Sequence, residues 1–119
     1  MMEQILAELN KTPGVVGSFV VAADGIIVAS DFATELNDEM MGALTSSIIN
    51  STEKAIKKMD QGDLLSFIVE TETSRLFFNA SRSGFLVCVA SLDANLGLVR
   101  MEMRSSVEKL NDLTTLGVS

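Results

Sequence analysis

Two apolar, β-branched runs, Val15 to Ala22 and Ile26 to Ser30, flank the dipeptide Asp24-Gly25. Asp-Gly between such runs predicts a hairpin. A type I′ turn needs φ > 0 at both central residues, which Asp tolerates and Gly adopts freely. Neither run alternates cleanly, since Val15-Val16, Val20-Val21 and Ile26-Ile27-Val28 put apolar side chains on both faces. A sheet with one wet face would alternate, so this hairpin is expected in a sheet covered on both sides.

Three further strands follow, Leu64 to Glu72, Arg75 to Ser81 and Phe85 to Ser91, broken at Thr73-Ser74 and Arg82-Ser83-Gly84. Such short breaks make an antiparallel meander. Phe85 to Ser91 is the most apolar strand and is expected at the centre. Leu64-Leu65-Ser66-Phe67-Ile68-Val69 is apolar enough that a bare sheet edge there would stick, and pairing with a second copy would cover it.

Helical periodicity occupies the rest. Met2 to Lys11 carries Ile5, Leu6 and Leu9 on one stripe and is ended by Thr12-Pro13-Gly14. After a loop over Asp31 to Glu35, with Asn37 or Asp38 as cap, a long helix is predicted from Leu36 to Met59. Lys54, Lys57 and Lys58 suit its C-terminal dipole, and Gly62 lies just beyond. A last helix runs from Leu96 to Leu113, with Leu96, Val99, Met103, Val107, Leu110 and Leu113 or Thr114 as its stripe and a frayed tail from Thr115. The predicted class is α+β, in the order α-β-β-α-β-β-β-α with five strands.

The long helix is too apolar for one sheet. Leu36, Met40, Ala43, Leu44, Ser47, Ile48, Ser51, Ala55 and Met59 form its main arc, and Met41, Ile49 and Ile56 extend it past half the circumference. A stripe of little over 100° would suffice. The surplus mixes small residues with isoleucines, which suits either close approach of a partner helix or deeper cover within the domain. The residues expected at a dimer or partner interface are Met41, Gly42, Thr45, Ser46, Ile49, Glu53 and Ile56 on this helix, with Leu65, Phe67 and Val69 on the edge strand.

Composition narrows the function. The 119 residues and 47% hydrophobic content fit one globular domain over 1–119 with no segment beyond it. A net charge of −7 argues against nucleic acid and against an anionic membrane surface. The longest apolar run, Phe85 to Ala90, is far short of the roughly 18 residues that span a bilayer. The N-terminus, with Glu3 and Glu8, has no signal pattern, so a cytoplasmic protein is expected. Three Asn-x-Ser/Thr triplets, at Asn10, Asn50 and Asn79, then read as chance.

Candidate chemistry is sparse. The chain has no histidine, which removes the commonest general base and metal ligand, and its one cysteine, Cys88, lies in an apolar strand as a core residue. No phosphate-binding glycine loop or nucleophile elbow is present. No catalytic residue, cofactor or metal is therefore expected. Glu70 and Glu72 share one face of a strand, where a hydrolase would place them, but charge there also keeps a strand end wet. Arg100 and Arg104 are expected on the solvated side of the last helix, paired with Glu102 or Glu108.

Pro13-Gly14-Val15-Val16-Gly17, continuing into Val20-Val21-Ala22-Ala23-Asp24-Gly25-Ile26-Ile27-Val28-Ala29-Ser30, and the later Asp93-Ala94-Asn95-Leu96-Gly97-Leu98-Val99-Arg100 resemble the Roadblock (dynein light chain) family. The likeness extends from Ile5 to Leu113. It implies a profilin-like sandwich, with the first and third helices on one face of a five-stranded antiparallel sheet and the long second helix on the other. It also implies a homodimer, joined through the second helices and the third strands. Such proteins are non-catalytic platforms that bind and regulate small Ras-like GTPases, scaffold them, or link cargo to dynein. The bacterial polarity-switch type accelerates GTP hydrolysis by repositioning the GTPase's own residues. The long helix here has no arginine to insert as a finger. The alternative is a motor light-chain-like or other cytosolic adaptor that binds a peptide or protein.

Overall fold

The computed structural model describes residues 1–32 and 37–115. Its elements are α1 (Met2–Leu9), β1 (Val15–Val21), β2 (Ile27–Phe32), α2 (Asp38–Lys58), β3 (Ser66–Glu70), β4 (Ser74–Ser81), β5 (Gly84–Ser91) and α3 (Leu96–Thr115). The strands form one sheet in the order β2-β1-β5-β4-β3 with every pairing antiparallel. As expected, β5 is central and β3 is an edge.

Successive strand side chains point to opposite faces, and the inner strands carry bulk on both. Phe19, Val21, Phe78, Phe85 and Val87 meet Ile49 of α2 on one face. Val20, Phe77, Leu86, Cys88 and Ala90 meet Leu6 and Leu9 of α1 and Val99, Met103 and Leu110 of α3 on the other. Two helices thus cover one face and α2 the other. Cover thins at β2, an outer strand, where Val28 is 46% exposed. Leu96, expected in the α3 stripe, is also exposed because it sits at the first turn, beyond the sheet. A half-buried link ties the end of α1 to the sheet: the Ser18 hydroxyl donates to Asn10 Oδ1 at 2.7 Å, and Asn10 Nδ2 donates to the Asp31 carbonyl at 2.7 Å.

The hairpin turn differs from the expected type. The Gly25 N–H donates to Ala22 O and the Ala22 N–H to Ile26 O, each at 2.9 Å. Only Gly25 has positive φ, at 89°. This is a type I turn closed by a left-handed glycine. A separate register slip lies between Val20 and Val21, where Val28 is the extra residue of β2. Asp24 keeps ordinary φ and accepts the Ile26 N–H at 3.1 Å.

The α2 boundaries follow local chemistry. Asn37 is the N-cap, its side chain accepting the Met40 N–H at 3.0 Å. At the other end Asp60, not Gly62, is the first residue to take the left-handed conformation, at φ 56°. The Asp60 N–H reaches Lys57 O at 3.0 Å and the Gln61 N–H reaches Ile56 O at 3.3 Å, the paired bonds of a Schellman stop. Asp31 and Phe32 belong to β2 rather than to a loop. The remainder of that predicted loop, the predicted helix start at Leu36 and the tail over 116–119 lie outside the described residues.

Candidate functional site

Helix α2 rests on the hairpin turn through Gly42. A Cβ there would be driven into the Gly25 carbonyl oxygen and would lie 3.3 Å from Ile27 Cγ1. Beside it Thr45 is buried, its hydroxyl donating to Met41 O at 2.6 Å, and Ile49 is 5% exposed. Met41 packs into the same cluster, and Ile56 is half-buried two turns beyond Ile49. The arc expected to be spare is therefore the arc that faces this chain's own sheet, and deeper cover within the domain is the reading that holds for it. Ser46 and Glu53 sit half-buried on its flank, lining with Ile49, Leu64 and Phe85 a cavity of about 220 Å³.

The arc expected to lie on the sheet is the one left in solvent. Met40 is 57% exposed, Leu44 56%, Ile48 40% and Met59 63%, and Ala43, Ser47, Ser51 and Ala55 are exposed among them. Spacings of three and four keep these residues on one stripe along the helix. Apolar size did not distinguish the two arcs. Close approach did: only a face carrying Gly42 with Thr45 next to it can reach the turn backbone, and that glycine was the signal available.

The edge strand divides in a similar way. Phe67 stacks on Phe78 at 4.4 Å, and Val69 packs into the α2-side core, so neither points outward. Leu65 is 74% exposed. The Thr71 N–H donates to Ser74 O and the Ala80 N–H to Leu65 O, each at 2.8 Å. Odd-numbered residues of this segment thus direct their backbone groups to β4. In an antiparallel ladder the alternate residues, Ser66, Ile68 and Glu70, then direct theirs outward, to the free edge.

Cys88 is fully buried, and burial pushes its thiol up to about 12. Among the described residues no group of three His, Cys, Asp or Glu is placed to hold a metal ion. Glu70 accepts from Arg75 Nε at 2.6 Å, and Arg75 also donates to Leu92 O at 2.8 Å. The expected pairing of Arg100 and Arg104 with Glu102 or Glu108 is not among the ion pairs of the described residues. Both arginines instead border a groove of about 230 Å³ beside β3. No helix of the described residues is long and apolar enough to cross a membrane.

Residues 1–91 match the family model for the Roadblock/LC7 domain. The chain belongs to the Roadblock/LC7 family. It is 33% identical over 110 residues to the uncharacterized protein MJ1340 of Methanocaldococcus jannaschii, covering 92% of this chain and 96% of that one. Solved Roadblock/LC7-type structures share the fold. Myxococcus xanthus MglB superposes with a TM-score of 0.90 at 18% identity, over 96% of this chain and 94% of that one. A Roadblock/LC7 domain from Streptomyces avermitilis gives 0.86 at 20% identity, over 95% and 97%. The family resemblance and the sandwich it implied are both borne out.

Proposed function

We propose that this chain is a non-catalytic, homodimeric platform that binds and regulates a small Ras-like GTPase. The observation that carries the reading is the solvent-facing stripe Met40, Leu44, Ile48 and Met59 on α2 of a Roadblock/LC7 domain. Large apolar residues repeated along one helical face favour contact with another protein. Small residues among them, Ala43, Ser47, Ser51 and Ala55, let a second α2 come close. The free edge of β3 offers the same partner a place to extend the sheet.

The stripe contains no arginine, and the basic residues of α2 are confined to Lys54, Lys57 and Lys58. Acceleration of GTP hydrolysis would then act through the GTPase's own switch loops, by tighter binding of one arrangement than another. The free β3 edge also supports a second reading, an adaptor that takes an extended peptide by strand addition.

Two measurements test this. Light scattering should give a dimer mass for the parent and a folded monomer for Leu44→Asp or Ile48→Asp. Pull-down with the purified dimer should then retain Ras-like GTPases from the same cell in one nucleotide state over the other. A parent that stays monomeric at high concentration overturns the homodimer. A dimer that retains no GTPase in either state overturns the GTPase reading and leaves the peptide adaptor.

A further inference from the structure

On the α3 side of the sheet, opposite α2, α3 covers Phe77 of β4 but not β3, and the uncovered strip forms the groove noted above. Its sheet side is formed by the cross-strand pairs Ile68–Phe77 and Ser66–Asn79, and its other side by Arg100 and Arg104, one turn apart on α3. Two of the chain's four arginines thus converge on one groove of a protein with net charge −7. No carboxylate of the described residues lies within ion-pair distance of either. The occupant this wall favours carries a carboxylate.

The strand beside the groove supplies one. Ser66, Ile68 and Glu70 share the α3-side face, since Phe67 and Val69 are on the other, and the same three residues hold the outward backbone groups. A second β3 laid antiparallel along this edge must match outward groups with outward groups. The register that uses all five residues of both strands is centred on Ile68. It sets Ile68 against Ile68 of the second copy and Ser66 against Glu70. Directly opposed residues of a hydrogen-bonded antiparallel pair stand about 5.5 Å apart at Cα, with side chains on the same face. Glu70 of each copy is thereby carried to the rim of the other copy's arginine groove. Sliding one strand by four residues instead, to oppose Glu70 with Glu70, would place like charges together.

We infer that the arginine groove is half of a reciprocal charge clamp, in which Arg100 and Arg104 of one copy receive Glu70 of a second copy paired along β3. Glu70 has an oxygen to spare for this: Arg75 of its own chain engages Oε2 only. The clamp rests on the homodimer proposed above and adds what fixes its strand register. Its sign also excludes wrong registers, which is what interfacial charge does best.

Symmetry supplies a test that folding defects cannot imitate. Arg100→Glu/Arg104→Glu makes both clamps of its homodimer repulsive, and so does Glu70→Arg. A mixed dimer of the two variants has two attractive clamps. Dimer dissociation is measured by analytical ultracentrifugation on each protein and on the equimolar mixture, with circular dichroism to confirm folded monomers. Each variant alone should self-associate at least about tenfold more weakly, and the mixture should return to within a few-fold of the parent. Variants that dimerise as the parent does, while Leu44→Asp is monomeric, overturn the clamp and leave the homodimer standing. Variants that weaken without recovery on mixing also overturn it, and assign the groove to another acidic occupant. A monomeric parent removes the homodimer itself.

Discussion

Replacing Gly42 by alanine sets two effects of known sign against each other. Position 42 lies inside α2, where alanine is favoured over glycine by about 1 kcal/mol. A helix judged by propensity alone would therefore gain. The added methyl carbon would, however, collide with the Gly25 carbonyl oxygen, a backbone atom with no rotamer by which to retreat. Relief requires α2 to lift from the turn by an ångström or more. That loosens Thr45 and Ile49 in the core beneath, and overpacking of this kind costs about 1–3 kcal/mol beyond any propensity gain. The expected net loss is about 1–3 kcal/mol, or about 4–12 °C in Tm for a domain of this size. Thermal unfolding followed by far-UV circular dichroism measures it, at one protein concentration because self-association would shift Tm. Ala43→Gly on the exposed neighbour is the control and should lose only about 1 kcal/mol of propensity. A Gly42→Ala protein that melts at or above the parent temperature would refute the close seating of α2 on the hairpin.

Three further outcomes are expected. Ile49→Asp, which buries an unpaired charge, should lower stability by about 3–5 kcal/mol, whereas Ile48→Asp one residue away should leave the folded monomer within about 1 kcal/mol; urea denaturation of both separates core from outward face. Asp60→Gly should raise stability by about 0.5–1 kcal/mol in the same assay, since glycine occupies the left-handed stop at α2 without steric cost. Cys88 should react with a thiol reagent only as fast as the protein opens. Because its native thiol holds its proton well above the unfolded one, stability should also fall as pH rises from the unfolded thiol value towards 12. Its contribution is at most about 1.4 kcal/mol per pH unit, and Cys88→Ala should abolish it.

The parts of this fold visible in the chain are those written in short-range periodicity. Paired apolar runs located β1 and β2, and the most apolar strand, β5, fell at the centre because only a doubly covered strand tolerates bulk on both faces. The roles of the two α2 arcs were not visible. Both are apolar, and the choice is made by Gly25, a backbone contact between residues 17 positions apart that no helical wheel contains. The hairpin turn was misassigned for a related reason, since Asp-Gly suits a type I′ turn and equally a type I turn with a bulge. The arginine groove was hidden because its walls lie more than 30 residues apart in sequence, on β3 and α3. From α3 alone, Glu102 and Glu108 looked like the natural partners.

The strand order also sets a timetable for synthesis. β1 lies between β2 and β5, so the first hairpin emerges from the ribosome with one long hydrogen-bonding flank open, and its partner begins only at Gly84. α1 is eight residues long, too short to hold helical form alone, and Leu6 and Leu9 find their cover on α3, which is made after every strand of the sheet. The nascent chain must therefore carry an apolar open strand until β5 and then α3 have been translated. Chaperone capture of this protein should be longest for chains stalled between the end of β2 and the start of β5, and should cease soon after α3 clears the exit tunnel.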